Sequence, residues 1–378
     1  MQRCDEPLRE AVASAQIAGV VAMATDRKRV LYQGAFGVAD LPSGRPMSAD
    51  ALFKIASMTK PITSAAAMQL VEQGRIALDD PVEKHLPQFA RLSVFESFDA
   101  ATGAYRLRPA ASAVTVRQLL THTSGLGYDF ISPIVRDFKP RAGEEYPVGP
   151  LLFEPGAQWL YGTNTDWLGR LIEKVSGLPL ETYFRRHIFD PLGMADTFYF
   201  VPESKEARLV AVNRRQADGS LVKEPNQPAA RGFTPIGGGG LSSTAADYIR
   251  FVRMLLNGGE LDGARVLSPA SVVAMGENQI GGLCARAVQT ALPNRSNDFS
   301  FVADGRDKWG LGFLITSDSV PGKRSSGSLS WGGIFNTYFW VDPARGVAGV
   351  ILMHFLPFAD RQALAVYDAF ERGVYQIA

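Results

Sequence analysis

Cysteine is almost missing from this sequence: Cys4 and Cys284 are the two in 378 residues. They follow no metal-ligand spacing and build no disulfide framework. Histidine is nearly as scarce. His85, His122, His187 and His354 lie far apart and none sits in an HExxH pattern, so no metal site is predicted. Charge of one sign is lacking too: Lys and Arg number 39 against 38 Asp and Glu, a net +1, which excludes the basic footprint of a nucleic-acid binder. The pairs Arg185-Arg186 and Arg214-Arg215 therefore read as solvated surface. No apolar run reaches the length of a membrane span, and the best, "GVAGVILMHFLPF" at 346–358, holds glycine, histidine and proline. The first residues, "MQRCDEPLREAVASAQ", carry charges where a signal peptide needs an apolar stretch. The expectation is a cytoplasmic protein that binds neither membrane nor nucleic acid.

What remains is ordinary globular composition, 46% hydrophobic and 20% charged, in a chain long enough for a large core. Residues 5–15 read as a short helix. "GVVAMAT" and "KRVLYQGAFGVAD", separated by "DRK", predict an antiparallel hairpin. An alanine-rich helix follows and should end near Gly74. From about Pro81 to Glu203 irregular segments mix with helices, one of them carrying Trp167, Leu168, Leu171, Ile172 and Val175 at helical spacing up to Gly177. The stretch 128–158 is too long for a simple connection and predicts a wall or lid over a pocket. Tyr248, Phe251, Val252, Leu255 and Leu256 mark one face of a helix that Gly258-Gly259 ends. Gly237 to Gly240 lacks the Lys-Ser/Thr partner of a phosphate loop and reads as close backbone packing. Residues 276–308 read as a mobile loop. Strands are expected at 335–342 and 347–355, and a last helix carries Leu364, Tyr367, Phe370 and Val374. Strands at both ends around a helical middle imply one sheet assembled from both termini.

Two Ser-x-x-Lys matches occur, Ser57-Lys60 and Ser220-Lys223. "DGSLVK" follows a turn signal and alternates like a strand, which points Ser220 and Lys223 to opposite faces; that match reads as chance. In "IASMTKPITSAAAMQL" the two residues share a helix face. Pro61 has no N–H to give the carbonyl four residues back, so the helix must begin at about Ser57. A serine there meets free backbone N–H groups and the positive end of the helix dipole, a place suited to an oxyanion. The plainer reading is an N-capping serine beside a solvent-facing lysine. A serine hydroxyl reacts only if something takes its proton. The chain has no GxSxG elbow and no Asp-His pair to support Ser57, so the base would be Lys60, a tyrosine, or both. His122, in "THTSG", reads as a hydrogen-bonded structural residue.

"SMTK", "LLTHTSGLGY" (119–128), "WLYGTNTDWLGRLIEKVSG" (159–177), "GGGGLSSTAADYIRF" (237–251) and "SWGG" (330–333) occur in that order. Together they resemble the serine β-lactamase and penicillin-recognising superfamily, most of all the family VIII carboxylesterases, from about residue 10 to 375. The resemblance implies an α/β plus helical fold of the β-lactamase/transpeptidase-like kind. Its antiparallel β-sheet is built from N- and C-terminal segments and flanked by helices (1–82 and 206–378), with an inserted mainly helical subdomain at 83–205 and the active site between. It also implies Ser57 as acylated nucleophile, Lys60 as its partner and Tyr161 as general base. The backbone N–H groups of Ser57 and Ile334 would form the oxyanion hole. Tyr128, Asn164, Trp331, Gly332 and Gly333 would meet the substrate, a small-molecule ester; no cofactor is implied. Two departures stand out: position 163 is threonine where the lactamases carry Tyr-x-Asn, with Asn164 one further on, and Trp331 replaces the lysine of Lys-Thr-Gly. Exchanging a cation for an indole favours neutral acyl groups over anionic antibiotics. The resemblance thus implies a carboxylesterase, with acyl transfer to an alcohol, as in fungal polyketide acyltransferases of the same superfamily, or β-lactamase or D-aminopeptidase activity as alternatives.

Overall fold

The apolar runs at the two ends of the chain pair with each other. In this computed structural model, which describes residues 2–229, 231–300 and 306–378, Gly19–Asp26 lies antiparallel to Val347–Leu352, with Val21 opposite Leu352 and Asp26 opposite Val347. Both strands are buried along almost their whole length, as expected for the middle of a sheet covered on two faces. The full sheet has eight strands in the order Lys308–Trp309, Leu314–Ile315, Leu329–Gly333, Thr337–Asp342, Val347–Leu352, Gly19–Asp26, Val30–Asp40 and Arg45–Pro46. Each of these neighbours runs antiparallel to the next.

Adjacent strand residues point to opposite faces, and the aromatic pairs show what covers each. Phe339 meets Tyr248 of the helix Ala245–Leu256, while Trp340 meets Phe370 of the helix Arg361–Tyr375. The N-terminal helix Gln2–Ala13 lies with Arg361–Tyr375 on that second side, where the Tyr32 ring contacts Phe370. The helix Thr59–Glu72 is buried on nearly all sides and packs against Asn164–Ser176 from the middle of the chain. Among the described residues, no helix is long and apolar enough to cross a membrane.

The structure differs from expectation in several places. The first helix starts at Gln2 rather than residue 5. The strand expected to run to 355 stops at Leu352, because Phe355–Leu356 leaves the main sheet and pairs in parallel with Asn213–Arg215, itself paired with Leu221–Lys223. The middle region carries a hairpin, Ser93–Phe98 with Tyr105–Pro109, that its mixed composition hid. The stretch 128–158 is tied to it: Leu151 N–H donates to the Ser93 carbonyl at 2.7 Å, and Phe138 packs on Phe95 and Tyr105. The loop at 276–308 falls partly outside the described residues, at 301–305. Its described part buries Ile280, Ala285, Val288 and Phe299. Arg215 is not solvated surface but pairs in two places with the buried Asp360, at 2.6 and 3.0 Å.

Candidate active site

Ser57 does not begin the α-helix. It lies in a single 3-10 turn, Ala56–Met58, and the α-helix runs Thr59–Glu72, with Pro61 at its third residue, where a missing N–H costs nothing. Ala56 takes φ +45°, a left-handed conformation that non-glycine residues adopt only when their surroundings hold them there. The holding contacts are visible. Ile55 N–H donates to Leu241 O at 2.9 Å, and the Tyr248 hydroxyl, from the helix under the sheet, donates to Met58 O at 2.9 Å. Gly333, at the end of its strand, sits so close to Ile55 that a Cβ would overlap the Ile55 carbonyl oxygen. The pairing of that strand with Leu314–Ile315 reaches Ser330, and its far end brings Gly333 against Ile55, two residues before the serine.

Ser57, Lys60 and Tyr161 come together. The Tyr161 hydroxyl is 2.7 Å from Ser57 Oγ and Lys60 Nζ is 3.1 Å from it. Lys60 is 1% exposed, which ends the solvent-facing reading. Its Nζ also donates to the Tyr128 hydroxyl at 3.1 Å and to the Gly238 carbonyl at 2.7 Å, so all three donors of an ammonium have an acceptor. Ser57 and Ile334 line one pocket of about 340 Å³ with Phe233, Leu241 and Phe335.

Tyr161 is fixed from several sides. The Trp331 indole N–H donates to its oxygen at 3.3 Å, and the two rings lie 4.8 Å apart. Behind it stands His122. The capping box of Thr115 with Gln118 starts the helix Val116–Thr121, which ends on His122 in the left-handed conformation, φ +57°. The His122 carbonyl accepts from Leu160 N–H, and its Nδ1 accepts from Gly162 N–H at 3.3 Å, so one residue grips the chain on both sides of Tyr161. Burial, and then the nearby Lys60 cation, pushes the His122 imidazole well below its usual range, which keeps it neutral and able to accept at Nδ1. His122 is thus the structural histidine expected from the sequence.

The expected substrate contacts separate. Tyr128 stands beside Lys60 and Tyr161, its ring 5.2 Å from that of Tyr161. Burial, then the Asp166 carboxylate, pushes its phenol well above the ordinary range, so it stays protonated. Asn164 is fully buried and its amide faces His122 Nδ1 at 3.0 Å and the Ser124 hydroxyl; it braces the His122 loop and does not reach the pocket. Trp331 is 3% exposed and packs between Tyr161, at a tilt, and Trp309, edge to face, away from the lining of the Ser57 pocket. Gly332 and Gly333 end their strand, opposite Tyr338 and Thr337.

Three residues escaped the sequence reading. Lys54, three residues before Ser57, lines the same pocket. It is 9% exposed, burial pushes its amine down to about 8, and its Nζ donates to Ala229 O at 2.7 Å. The site thus lacks a cation at position 331, as expected, but has one at position 54. Gly238, read as packing, also supplies the carbonyl that holds Lys60. Asp166, in the first turn of Asn164–Ser176, accepts from Gly238 N–H at 2.8 Å. An acid in a helix's first turn was readable as a favourable dipole partner; its meeting with residues 60, 128 and 238 was not. Ser220 and Lys223 do go separate ways, to Asp218 and to Asp40.

The same arrangement of chain recurs in known proteins. The sequence model of the family described as Beta-lactamase matches residues 5–371. The monacolin J acid methylbutanoyltransferase of Aspergillus terreus is 32% identical, over 97% of this chain and 94% of that protein. The lovastatin esterase of Penicillium rubens is 33% identical, over 92% and 91%. The unliganded structure of simvastatin synthase from Aspergillus terreus superposes with a TM-score of 0.84 at 29% identity, covering 98% of this chain and 97% of that one. From the ordered motifs, the two-ended sheet and this full-length match, the chain belongs to the beta-lactamase family.

Proposed function

We propose that this protein is a serine carboxylesterase that cleaves short-chain carboxylic esters through an acyl-Ser57 intermediate. The observation that carries it is the contact of Ser57 Oγ with Tyr161 at 2.7 Å and Lys60 at 3.1 Å on the wall of a largely apolar pocket. Tyr161, as phenolate, takes the Ser57 proton while Oγ attacks the ester carbonyl. The Lys60 ammonium, 4.8 Å from the Tyr161 ring, and the Trp331 N–H favour that negative oxygen. The backbone N–H groups of Ser57 and Ile334, both on the pocket wall, meet the oxyanion. Tyr161 returns the proton to the leaving alcohol as the C–O bond breaks. It then takes a proton from the incoming water, which adds to the acyl carbon, and hands it back to Ser57 as the acid departs. At about 340 Å³ the pocket is near the lower end of small-molecule sites, which suits a short acyl chain.

A second reading is acyl transfer, in which a bound alcohol replaces that water. It draws support from relatives named for each chemistry at nearly equal identity, 32% and 33%. The test is labelling with a fluorophosphonate, expected at Ser57 and absent in Ser57→Ala. Esters of graded acyl length, added alcohols and a chromogenic cephalosporin then sort hydrolysis, transfer and lactam cleavage by product. An unlabelled wild-type serine would overturn the catalytic reading.

A further inference from the structure

Lys60 and the Asp166 carboxylate feel each other's charge, yet they form no direct ion pair. Two groups stand between them. One is the main chain of Gly238, whose carbonyl accepts from Lys60 Nζ at 2.7 Å and whose N–H donates to Asp166 Oδ1 at 2.8 Å. The other is the Tyr128 hydroxyl, 3.1 Å from Lys60 Nζ, whose phenol is pushed up by burial and then by the charge of the nearby Asp166. The ring closes tightly: a Cβ on Gly238 would overlap Asp166 Oδ1 and crowd the Tyr128 oxygen.

Proton positions follow from this arrangement. The Gly238 carbonyl can only accept, so one Lys60 N–H must point there. The Tyr128 hydroxyl oxygen accepts from Lys60 Nζ at 3.1 Å, which uses a second N–H. What remains on Lys60, a third N–H or a lone pair, is what faces Ser57. A negative charge at Asp166 favours the N–H.

We propose that Asp166 is a positioning residue of the base system: through the Gly238 main chain and the Tyr128 hydroxyl it holds Lys60 as an ammonium donating to Ser57 Oγ, and so leaves Tyr161 to take the proton. The inference rests on the acyl-Ser57 reading above. The titratable and charged neighbours are few. Lys60 is faced by Ser57, Tyr128, Tyr161 and the neutral His122; Asp166 by Lys60, Tyr128, Tyr199 and Arg170 of its own helix; and Asp129 lies beyond Tyr128. Burial pushes the Asp166 carboxyl up, against the pull of Lys60, the Gly238 N–H, Arg170 and Tyr128.

Asp166→Asn is the decisive variant, because the amide oxygen still accepts from Gly238 while the charge is gone. The expected result is a kcat lowered about 10- to 100-fold with KM within about twofold, the range for partners that orient a reacting group. The alkaline limb of kcat/KM against pH should also move to lower pH, since the site has lost a negative charge beside Lys60. Tyr128→Phe, which leaves Asp166 in place and removes one of the two groups, should move the same limb the same way by less, and it carries the test if Asp166→Asn does not fold. An alkaline limb unmoved in a folded variant whose Ser57 still takes the fluorophosphonate would overturn the inference alone, leaving Asp166 as a brace for the glycine loop. A wild-type protein that takes no label would overturn the acyl-Ser57 reading and this inference with it.

Discussion

Two serine–lysine pairs with identical spacing lie in this chain, and their fates differ. Ser57 and Lys60 sit in consecutive helical turns, the serine half-buried and the lysine fully so, and meet Tyr161, Tyr128 and Gly238. Ser220 is in a turn and Lys223 ends a short strand; one bonds Asp218 and the other pairs with Asp40 at 2.7 Å near the surface. Spacing alone does not make a reaction centre. A backbone that puts i and i+3 on one face, and a third group brought in from afar to take a proton, do.

Deleting each serine hydroxyl in turn puts the contrast under the heaviest strain. Ser57→Ala should lower ester hydrolysis at least about 10⁴-fold, as removal of a covalent nucleophile does, while Ser220→Ala stays within about twofold. Equal losses measured as kcat/KM would erase the distinction. Tyr161→Phe keeps the ring stack and removes the oxygen; kcat should fall about 10²- to 10⁴-fold, the usual worth of a general base, with the far-ultraviolet circular dichroism unchanged.

Acid should weaken both neighbourhoods at once through His354. Its ring accepts from Lys54 N–H at Nε2 and faces Val210 O at Nδ1, while its carbonyl accepts from Asn213, the strand next to Lys223. Burial pushes this imidazole from 6.5 down to about 4. The unfolded chain therefore binds the proton first as pH falls. Stability is fully present above about 6.5 and drains away between 6.5 and 4, by roughly 3 kcal/mol at the lower end. Urea midpoints measured across that window should fall with pH, and replacement of His354 by Gln should flatten the slope. The smallest effect belongs to Lys223→Met. Its ion pair with Asp40 is partly exposed and screened, so thermal unfolding should shift by no more than about 1 kcal/mol, and hydrolysis not at all.

Residues whose signal is local are legible in the sequence alone. The hairpin around 26–30, the helix ending at Gly177 and the helix before Gly258 all follow from periodicity and terminal glycines. Lys60 next to Ser57 is a matter of helical pitch. Tyr161 and the strand end at 331–333 needed the order of motifs, since no local pattern ties residue 161 to residue 57. Asp166 and the Gly238 carbonyl escaped because they reach the Lys60 neighbourhood from elsewhere in the chain, and a carbonyl has no residue type to betray it; Lys54 is close in sequence, but its burial in the pocket is not a local signal. Asn164 misled because an amide looks like a ligand contact in sequence. In the structure it is spent on His122 and Ser124.

The sheet that joins the two ends of the chain also sets a clock. Ser57, Lys60 and Tyr161 leave the ribosome long before the strand 329–333 that presses Gly333 against Ile55, and before 347–352, which pairs with 19–26. Contacts of such long separation form slowly. A growing chain can thus carry Ser57, Lys60 and Tyr161 while lacking the strand that packs Gly333 on Ile55. The strand that presses on Ile55 is among the last parts of the candidate site to be made.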